Sequence, residues 1–596
     1  MRNPVSIPSL IGTVGRPSRG GAFYVSPKRN VLVYTMTVPE FGAISVVPPL
    51  LAIVLAILTR KAVLSLFLGI WSGAVIYTGG LGIVQTFEWI VAAVADEFHA
   101  TIIVFTLLLG SGVAMVWNLG GTAAVRDWAL ERLDSQRKAG LAAWGLGIVL
   151  FFDDYANTAI VGSAMKDVSD QLRISREKLS YIVDSTAAPV ATLGISSWVA
   201  FQLSLIADGY ESAGVDAADR PGTFEVFLSS IPFNMYAILA IVMVAVIVVS
   251  GRDYGEMLTA EHRSWTTGKV TRDEAVPMQD VAGELGEPPA STPRLAAFFV
   301  PVGVLIAVTL ATALWSGGLS VGGFVGDLLA ADLGSAGERL WDAALGAAYE
   351  VALMIGSFAM VASGFVLGKA YGIFGVGEAT EYTIDGFGIM LTAVSILALA
   401  WGIGETIDAL GTGEYVASMA VGAVSPALLP ALVFVVAGLI AFSTGTSWGT
   451  MGIVTPIAIP IAWELSGGGA AGHTLVAAMV GVIFSGAIFG DHSSPISDTS
   501  VLSATFTGSD LIDHVRTQIY YAVTVAVIVV LLLVVWGYTS VTPVALLPLG
   551  AALLVGLVYL FSEVDAARRD IDPVSVNEAQ ADDGRAVIVG GTEQDD

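Results

Sequence analysis

Long apolar blocks separated by short polar turns fill this chain from about residue 42 to residue 561. No Asp, Glu, Lys or Arg occurs in 415–463 or in 517–562. A helix crossing the hydrocarbon of a bilayer needs about 20 apolar residues, at roughly 1.5 Å of rise each. Each of these runs therefore holds two passes, or one pass and a broken element. The pattern predicts spanning helices over roughly 42–59, 62–78, 99–118, 179–210, 230–250, 294–315, 346–366, 387–405, 472–504, 518–536 and 541–561. Two further apolar stretches, 139–165 and 426–465, are interrupted at mid-length by FFDDYANT (151–158) and STGTSWGT (443–450). The expected fold is an all-α polytopic membrane protein of about 11 spanning helices plus two re-entrant hairpins.

Charge orders these elements. Cytoplasmic loops are enriched in Lys and Arg, and acids count little. Arg60 and Lys61 place the first short loop inside, and alternation then places 119–138 inside, with Arg126, Arg132, Arg137 and Lys138. A single crossing by 139–165 would put the next basic loop (Lys166, Arg173, Arg176, Lys178) outside. A hairpin that dips in and returns keeps it inside. With the same reading for 426–465, Arg516, Arg568 and Arg569 also fall inside. The two hairpins then enter from opposite faces. Each precedes a span with its own polar break, DSTAAPVATLGISSW (184–198) and GDHSSPISDT (491–500). This is the expectation of an inverted-topology repeat with broken helices, whose four breaks meet near the membrane midplane.

Composition changes the picture in three ways. The chain has 596 residues, 55% of them hydrophobic and only 13% charged, where soluble domains average about 25%. It has no cysteine, which excludes disulfides and thiolate metal sites. Its net charge of −25, with 20 Arg against 7 Lys, fits the solvated surface of a halophile's protein. The expected organisation is an N-terminal extension over 1–40, disordered or mis-called, with Met36 a natural start. A first half of the transport domain follows over 41–250. An acidic cytoplasmic loop covers 251–293, the second half 294–561, and an acidic disordered cytoplasmic tail 562–596. The location expected is the plasma membrane, and nothing in the pattern suggests nucleic acid as a partner.

The candidate chemistry lies in the breaks. Carboxylates within a bilayer cost at least ~2.5–3.5 kcal/mol each. They persist where they pair, protonate or bind a cation. Asp153, Asp154, Asp184, Glu405, Asp408, Asp491 and Asp498 stand at or near hydrophobic depth without Lys or Arg beside them. Burial disfavours the charged form of a carboxylate, so one such group can exchange H⁺ for Na⁺. Sodium is a hard ion and takes several oxygen ligands. Asp154, Asn157 and Thr158 offer them at helical spacing. Ser185, Thr186, Ser493, Ser494, Ser497 and Thr499 offer more, and the second hairpin's break adds Ser443, Thr444, Thr446 and Ser447. Pro189 and Pro495 keep the breaks from closing.

Plainer readings stand beside these. A membrane hydroxyl usually bonds back to a carbonyl. His492 serves equally as a structural donor, and Asp184 as an interfacial partner of Arg176 or Lys178. Glu405 and Asp408, accessory candidates, also fit the outer membrane surface. Gly364–Gly368–Lys369 imitates a phosphate loop but is one residue short, and Ala370 replaces the required hydroxyl. No nucleophile–His–acid set or zinc spacing suggests an enzyme, and no cofactor is expected.

FFDDYANTAIVGSAM, ISREKLSYIVDSTAAPVATLGISSW and GDHSSPISDTSVLSATFTGSDLIDHVRTQIYYA together resemble the NhaC-type Na⁺/H⁺ antiporter family, over roughly residues 45–560. The resemblance implies that Asp153, Asp154, Asn157, Asp184, Ser185, Thr186, Asp491, His492, Ser493, Ser497 and Asp498 line a transport site. It implies Na⁺, with Li⁺ as a possible substitute, exchanged for H⁺. The family's relatives that exchange malate and lactate keep a second function open: coupled carriage of a small organic acid or amino acid. Membrane lipid, monovalent cations and protons are the expected partners, with a homodimer as a further possibility.

Overall fold

The computed structural model describes residues 41–571 except 60, 152, 195, 216–219, 279–293, 331, 413–414, 416–424 and 426. The N-terminal extension, much of the acidic loop, the first residue of the second hairpin and most of the tail lie outside the described residues.

The described residues form helices and connecting turns, with no strand among them. Seven helices are long and apolar enough to cross a membrane, or up to nine if each of two bent pairs counts as one span. This is an all-α membrane protein. Among the described residues, seven to nine such helices are fewer than the eleven spans expected, and the remaining differences from the sequence pattern are local. The first stretch is a short 3₁₀ turn followed by Val47–Thr59. Ala62–Thr78 is followed by Ile83–Ala95, a helix the pattern left out, after a bend of 120° at Gly79–Gly82. Val376–Leu410 is one helix of 35 residues rather than a segment confined to 387–405. Its charged ends hide it from a hydropathy reading, but the backbone ladder continues regardless of side-chain polarity. At about 1.5 Å per residue it is far longer than the ~30 Å hydrocarbon layer. The polar insertions also hold helices: Glu256–Thr267, Val321–Leu329 and Leu333–Leu345. The imitation phosphate loop lies inside the helix Tyr349–Tyr371.

The first predicted hairpin is Gln136–Val149 with Asp154–Gln171. Gln136 Nε2 donates to the carbonyls of Leu172 (3.2 Å) and Arg173 (2.9 Å), so both open ends lie at one end of the molecule. The second is Leu429–Thr444 with Ser447–Ser466. Its turn is Gly445, whose φ of +68° suits glycine. A Cβ there would sit 2.5 Å from the Ile496 carbonyl oxygen, so the turn also needs the space. The first broken span runs from Arg176–Asp184 through the single turn Ala188–Ala191 to Ser197–Ser212. The second runs from Gly469–Ser493 to Asp498–Thr507.

Contacts fix the mutual direction of these four elements. Arg176 Nη1 donates to the Gly508 carbonyl at 2.9 Å, while Tyr210 OH meets His473 Nδ1 at 3.1 Å. The two broken spans are thus antiparallel. The first hairpin opens beside Arg173 and Arg176. The second opens beside His473, where the Trp463 ring lies 4.9 Å away. The two helix pairs thus open at opposite ends of the molecule.

One end gathers the basic residues. Arg173 donates to the Trp265 carbonyl, Arg272 pairs with Asp513 at 2.9 Å, and Arg516 pairs with Glu256 at 2.8 Å. Lys178 is buried between Asp253 (2.7 Å) and Glu261 (3.4 Å). Arg176, a suggested partner of Asp184, is held by Asp170 instead.

Close packing holds the second hairpin on its broken span. A Cβ on Gly490 would lie 2.4 Å from the Gly438 carbonyl oxygen and 2.5 Å from Ala441 Cβ. Gly490→Ala is expected to cost about 1–3 kcal/mol. The melting temperature in detergent should fall below that of the parent, and an unchanged value would refute this account of the packing.

Candidate ion-binding site

The tip of the first hairpin is clamped by one amide. Asn157 Nδ2 donates to the carbonyls of Gly147 (2.6 Å), Leu150 (3.3 Å) and Thr186 (2.9 Å). It closes the tip on itself and ties it to the first broken span. Its other amide atom, Oδ1, is buried without a hydrogen-bond partner. Asp154 begins the returning helix. Trp198 Nε1 donates to its Oδ1 at 3.0 Å, and its Oδ2 is buried without a hydrogen-bond partner.

The second break meets this tip. Tyr155 OH donates to Asp498 Oδ2 at 2.7 Å. Asp498 Oδ1 accepts from the Thr499 backbone at 2.8 Å. Thr499 Oγ1 reaches Asp491 Oδ2 at 3.3 Å and Ser497 Oγ at 3.0 Å, while Asp491 Oδ1 is buried without a hydrogen-bond partner. Ser494 Oγ donates to the Phe442 carbonyl (2.8 Å) and Ser447 Oγ to that of Ala487 (3.1 Å), docking the second hairpin on the break. Asp498 lies within electrostatic range of both Asp154 and Asp491. The breaks therefore assemble one buried cluster.

Asp184 lies in this core with a different character. Ser500 (3.2 Å), Ser503 (3.3 Å) and Gln518 Nε2 (2.6 Å) donate to its carboxylate, and His514 Nε2 stands 3.3 Å away. Its backbone carbonyl meets His492 Nε2 at 3.1 Å, and the other ring nitrogen of His492 meets Tyr236 OH at 3.3 Å. Asp184 is satisfied by protein groups, whereas Asp154 and Asp491 each keep an open oxygen. His492 ties the break to the Asp184 carbonyl.

Several hydroxyls bond back to their own helices: Thr158 to Asp154, Thr186 to Ile182 and Val183, Ser493 to Phe489, and Thr444 to Ala441. Ser443 also bonds back, to Leu439, on the outward side of its helix. Thr446 caps the second hairpin's returning helix. Ser185 is buried in the break between Asp184 and Thr186. Glu405 and Asp408 lie near the end of Val376–Leu410, where Asp408 and Asp96 are charged neighbours of Glu405. Sequence reasoning missed Tyr155, Trp198, Ser500, Ser503, His514 and Gln518. The signal was present for the last two, a polar pair four residues apart at the mouth of an apolar helix.

Among the described residues no three His, Asp or Glu side chains converge closely enough to hold a metal ion by themselves, so a bound cation would draw on amide, hydroxyl and carbonyl oxygens as well. The donors at the cluster are carboxylate, amide, hydroxyl and carbonyl oxygens, the set that suits a hard cation.

A sequence model of the Na⁺/H⁺ antiporter family matches residues 190–538, more than half of the chain. This chain belongs to the Na⁺/H⁺ antiporter family. An uncharacterized protein of Haemophilus influenzae is 32% identical over 86% of this chain and 94% of its own length. The Malate-2H(+)/Na(+)-lactate antiporter of Bacillus subtilis is 29% identical over 32% of this chain and 38% of its own. The Na(+)/H(+) antiporter NhaC of Alkalihalophilus pseudofirmus is 29% identical over 27% and 33%. This chain thus spans nearly all of the first relative and about a third of the other two. The YdaH transporter of Alcanivorax borkumensis is a structural neighbour, with 15% identity, 76% of this chain and 88% of that chain covered, and a TM-score of 0.32. Membership in the antiporter family makes the chain a multi-pass transporter related to those that move Na⁺ and H⁺. The family match begins at Val190 and takes in the second hairpin and the second break. The first hairpin precedes it, and Tyr155 joins the two regions physically.

Proposed function

We propose that this antiporter-family protein exchanges Na⁺, with Li⁺ as an alternative, for H⁺ at the cluster of Asp154, Asp491 and Asp498. One observation carries the reading. Asp154 and Asp491 each present a buried carboxylate oxygen with no hydrogen-bond partner, and the only buried Lys or Arg among the described residues, Lys178, is held by Asp253 and Glu261. A buried charge needs a counter-charge or a proton. Na⁺ and H⁺ supply these in turn. Asn157 Oδ1, Ser497, Thr499 and the freed carbonyls of the breaks complete the oxygen set. Ser185, Thr186, Ser447, Ser493 and Ser494 shape the broken backbone around it.

The antiparallel broken spans with hairpins from opposite ends support an inverted repeat, the architecture in which midplane sites occur at discontinuous helices. The basic end, by the positive-inside rule, faces the cytoplasm and carries the C-terminus, with the protein in the plasma membrane. Single cysteines in 120–138 and 166–178 should then react with an impermeant thiol reagent from the same side. The parent's lack of cysteine makes the test clean. Reaction from opposite sides would break the hairpin reading.

The match to the Malate-2H(+)/Na(+)-lactate antiporter supports a second reading, coupled exchange of a small carboxylate. Proteoliposomes with an internal pH dye separate the two. A Na⁺ gradient alone should move protons. A requirement for malate, lactate or an amino acid would promote the second reading.

A further inference from the structure

A narrow crevice lies beside the first hairpin's tip, lined in part by the starts of two helices at the end of the molecule opposite the basic residues. It measures about 210 Å³ with its mouth included and is lined by Phe98, Ile102, Asp153, Tyr155, Tyr349, Glu350 and Trp448. Its end is identifiable. The helix Glu97–Asn118 finishes near Arg126 on the basic side, so Phe98 belongs to the other end. Tyr349–Tyr371 finishes at Lys369, and the guanidinium of Arg294 covers Tyr371, so Glu350 too lies opposite the basic residues.

The crevice adjoins the candidate site. Tyr155, in its wall, donates to Asp498, and Asp153 precedes Asp154 in the chain. Trp448 closes it against three other rings. Its ring centre lies 5.7 Å from Phe98, 5.5 Å from Trp198 and 4.9 Å from Phe201. Its Nε1 is buried without a hydrogen-bond partner, so packing alone holds the indole there. Trp198 in turn holds Asp154. The cover over the crevice is therefore in contact with a group that holds the site. Glu350 is half-buried in the crevice wall and forms no ion pair among the described residues.

We infer that Glu350 is a cation-positioning residue: with Asp153 it draws Na⁺ into this crevice from the end opposite the basic residues, and Trp448 closes the route. The inference rests on the Na⁺/H⁺ reading and deepens it. Two carboxylates lining a narrow slot with aromatic walls focus field on a small cation and raise its local concentration. The same negative slot opposes carboxylate substrates.

The test uses the full chain in proteoliposomes. Asp134→Cys, on the basic side, reports orientation. Glu350→Cys should react with an impermeant cationic methanethiosulfonate from the side opposite the one that labels Asp134→Cys, and faster than with its anionic analogue. Added Na⁺ should slow that reaction, and choline should not. Glu350→Gln should raise the KM for Na⁺ roughly five-fold, the loss of one nearby charge in a wet mouth, with kcat unchanged. Glu350→Asp should recover part of it. If the parent moves no protons in response to Na⁺, the exchange reading fails and takes this inference with it. If the parent exchanges but the Glu350→Cys thiol reacts from the basic side, or without Na⁺ protection, or Glu350→Gln leaves KM unchanged, the inference alone is overturned.

Discussion

Apparent Na⁺ affinity should weaken as pH falls, and Asp491→Asn should remove that dependence together with exchange. A carboxylate binds Na⁺ only when deprotonated, so each proton bound displaces the ion, and linkage makes the effect reciprocal. Below the pKa that governs the site, one proton per Na⁺ weakens affinity up to about tenfold per pH unit, or ~1.4 kcal/mol. Above it the affinity is flat. Asp491 is the sharpest place to test this, because Thr499 engages one of its oxygens and the other is buried without a hydrogen-bond partner. The amide keeps an oxygen ligand but cannot titrate. Asp154→Asn should act in the same way, since its open Oδ2 belongs to the same cluster. Ser494→Ala should only weaken transport, because its hydroxyl is spent on the Phe442 carbonyl. The measurement is Na⁺-induced proton release from reconstituted protein between about pH 5.5 and 9, bracketing the range where a buried carboxylate titrates. A pH-independent affinity, with uptake that needs an organic anion, would reject the competition.

Lys178→Met should destabilise the protein by about 3–5 kcal/mol, the cost of leaving buried charges without their partner. The Lys178 side chain is 9% exposed, Asp253 5% and Glu261 2%, so water cannot replace the lost ammonium. Tyr521 OH donates to Asp253 at 2.6 Å and the Ser175 backbone to Glu261 at 2.8 Å, but neither brings a positive charge. Burial already pushes the Glu261 carboxyl above its ordinary range, and Lys178 is what pulls it back. The cluster also ties the start of the first broken span to the helix Glu256–Thr267. Its loss should therefore loosen the basic end before the central cluster. The melting temperature in detergent should drop for Lys178→Met and recover largely in Lys178→Met/Asp253→Asn/Glu261→Gln, where no unpaired charge remains. Equal melting of the single variant and the parent would mean that water reaches this cluster.

Much of this protein was legible as a pattern. Hydropathy located most of the long apolar helices because a bilayer leaves an apolar helix few alternatives, although it counted eleven spans where seven to nine helices among the described residues are long and apolar enough. Basic residues predicted two hairpins from opposite faces, and Gln136 at Leu172, Tyr210 at His473 and Trp463 beside His473 put the open ends of the two helix pairs at opposite ends of the molecule. The polar interruptions named Asp154, Asn157, Asp491 and Asp498, because polar groups inside apolar runs are costly wherever they point. Other features lay beyond the pattern. The helix Ile83–Ala95 is apolar but, at 13 residues, too short to span alone, and the ends of Val376–Leu410 mix charge with apolar residues, so a search for single spans passes over both. Which donor serves which acid was decided by tertiary contact alone. Asp184 and Asp154 look alike in sequence, yet Gln518 and Ser500 from distant helices engage the first, while the second keeps an open oxygen beside Trp198. Glu350 lies almost 200 residues from Asp153 in the chain and joins it only because two helices and a hairpin tip share one crevice. Local sequence determines where the backbone breaks and which polar groups enter the membrane. Partnership between those groups follows from long-range packing, which no local periodicity encodes.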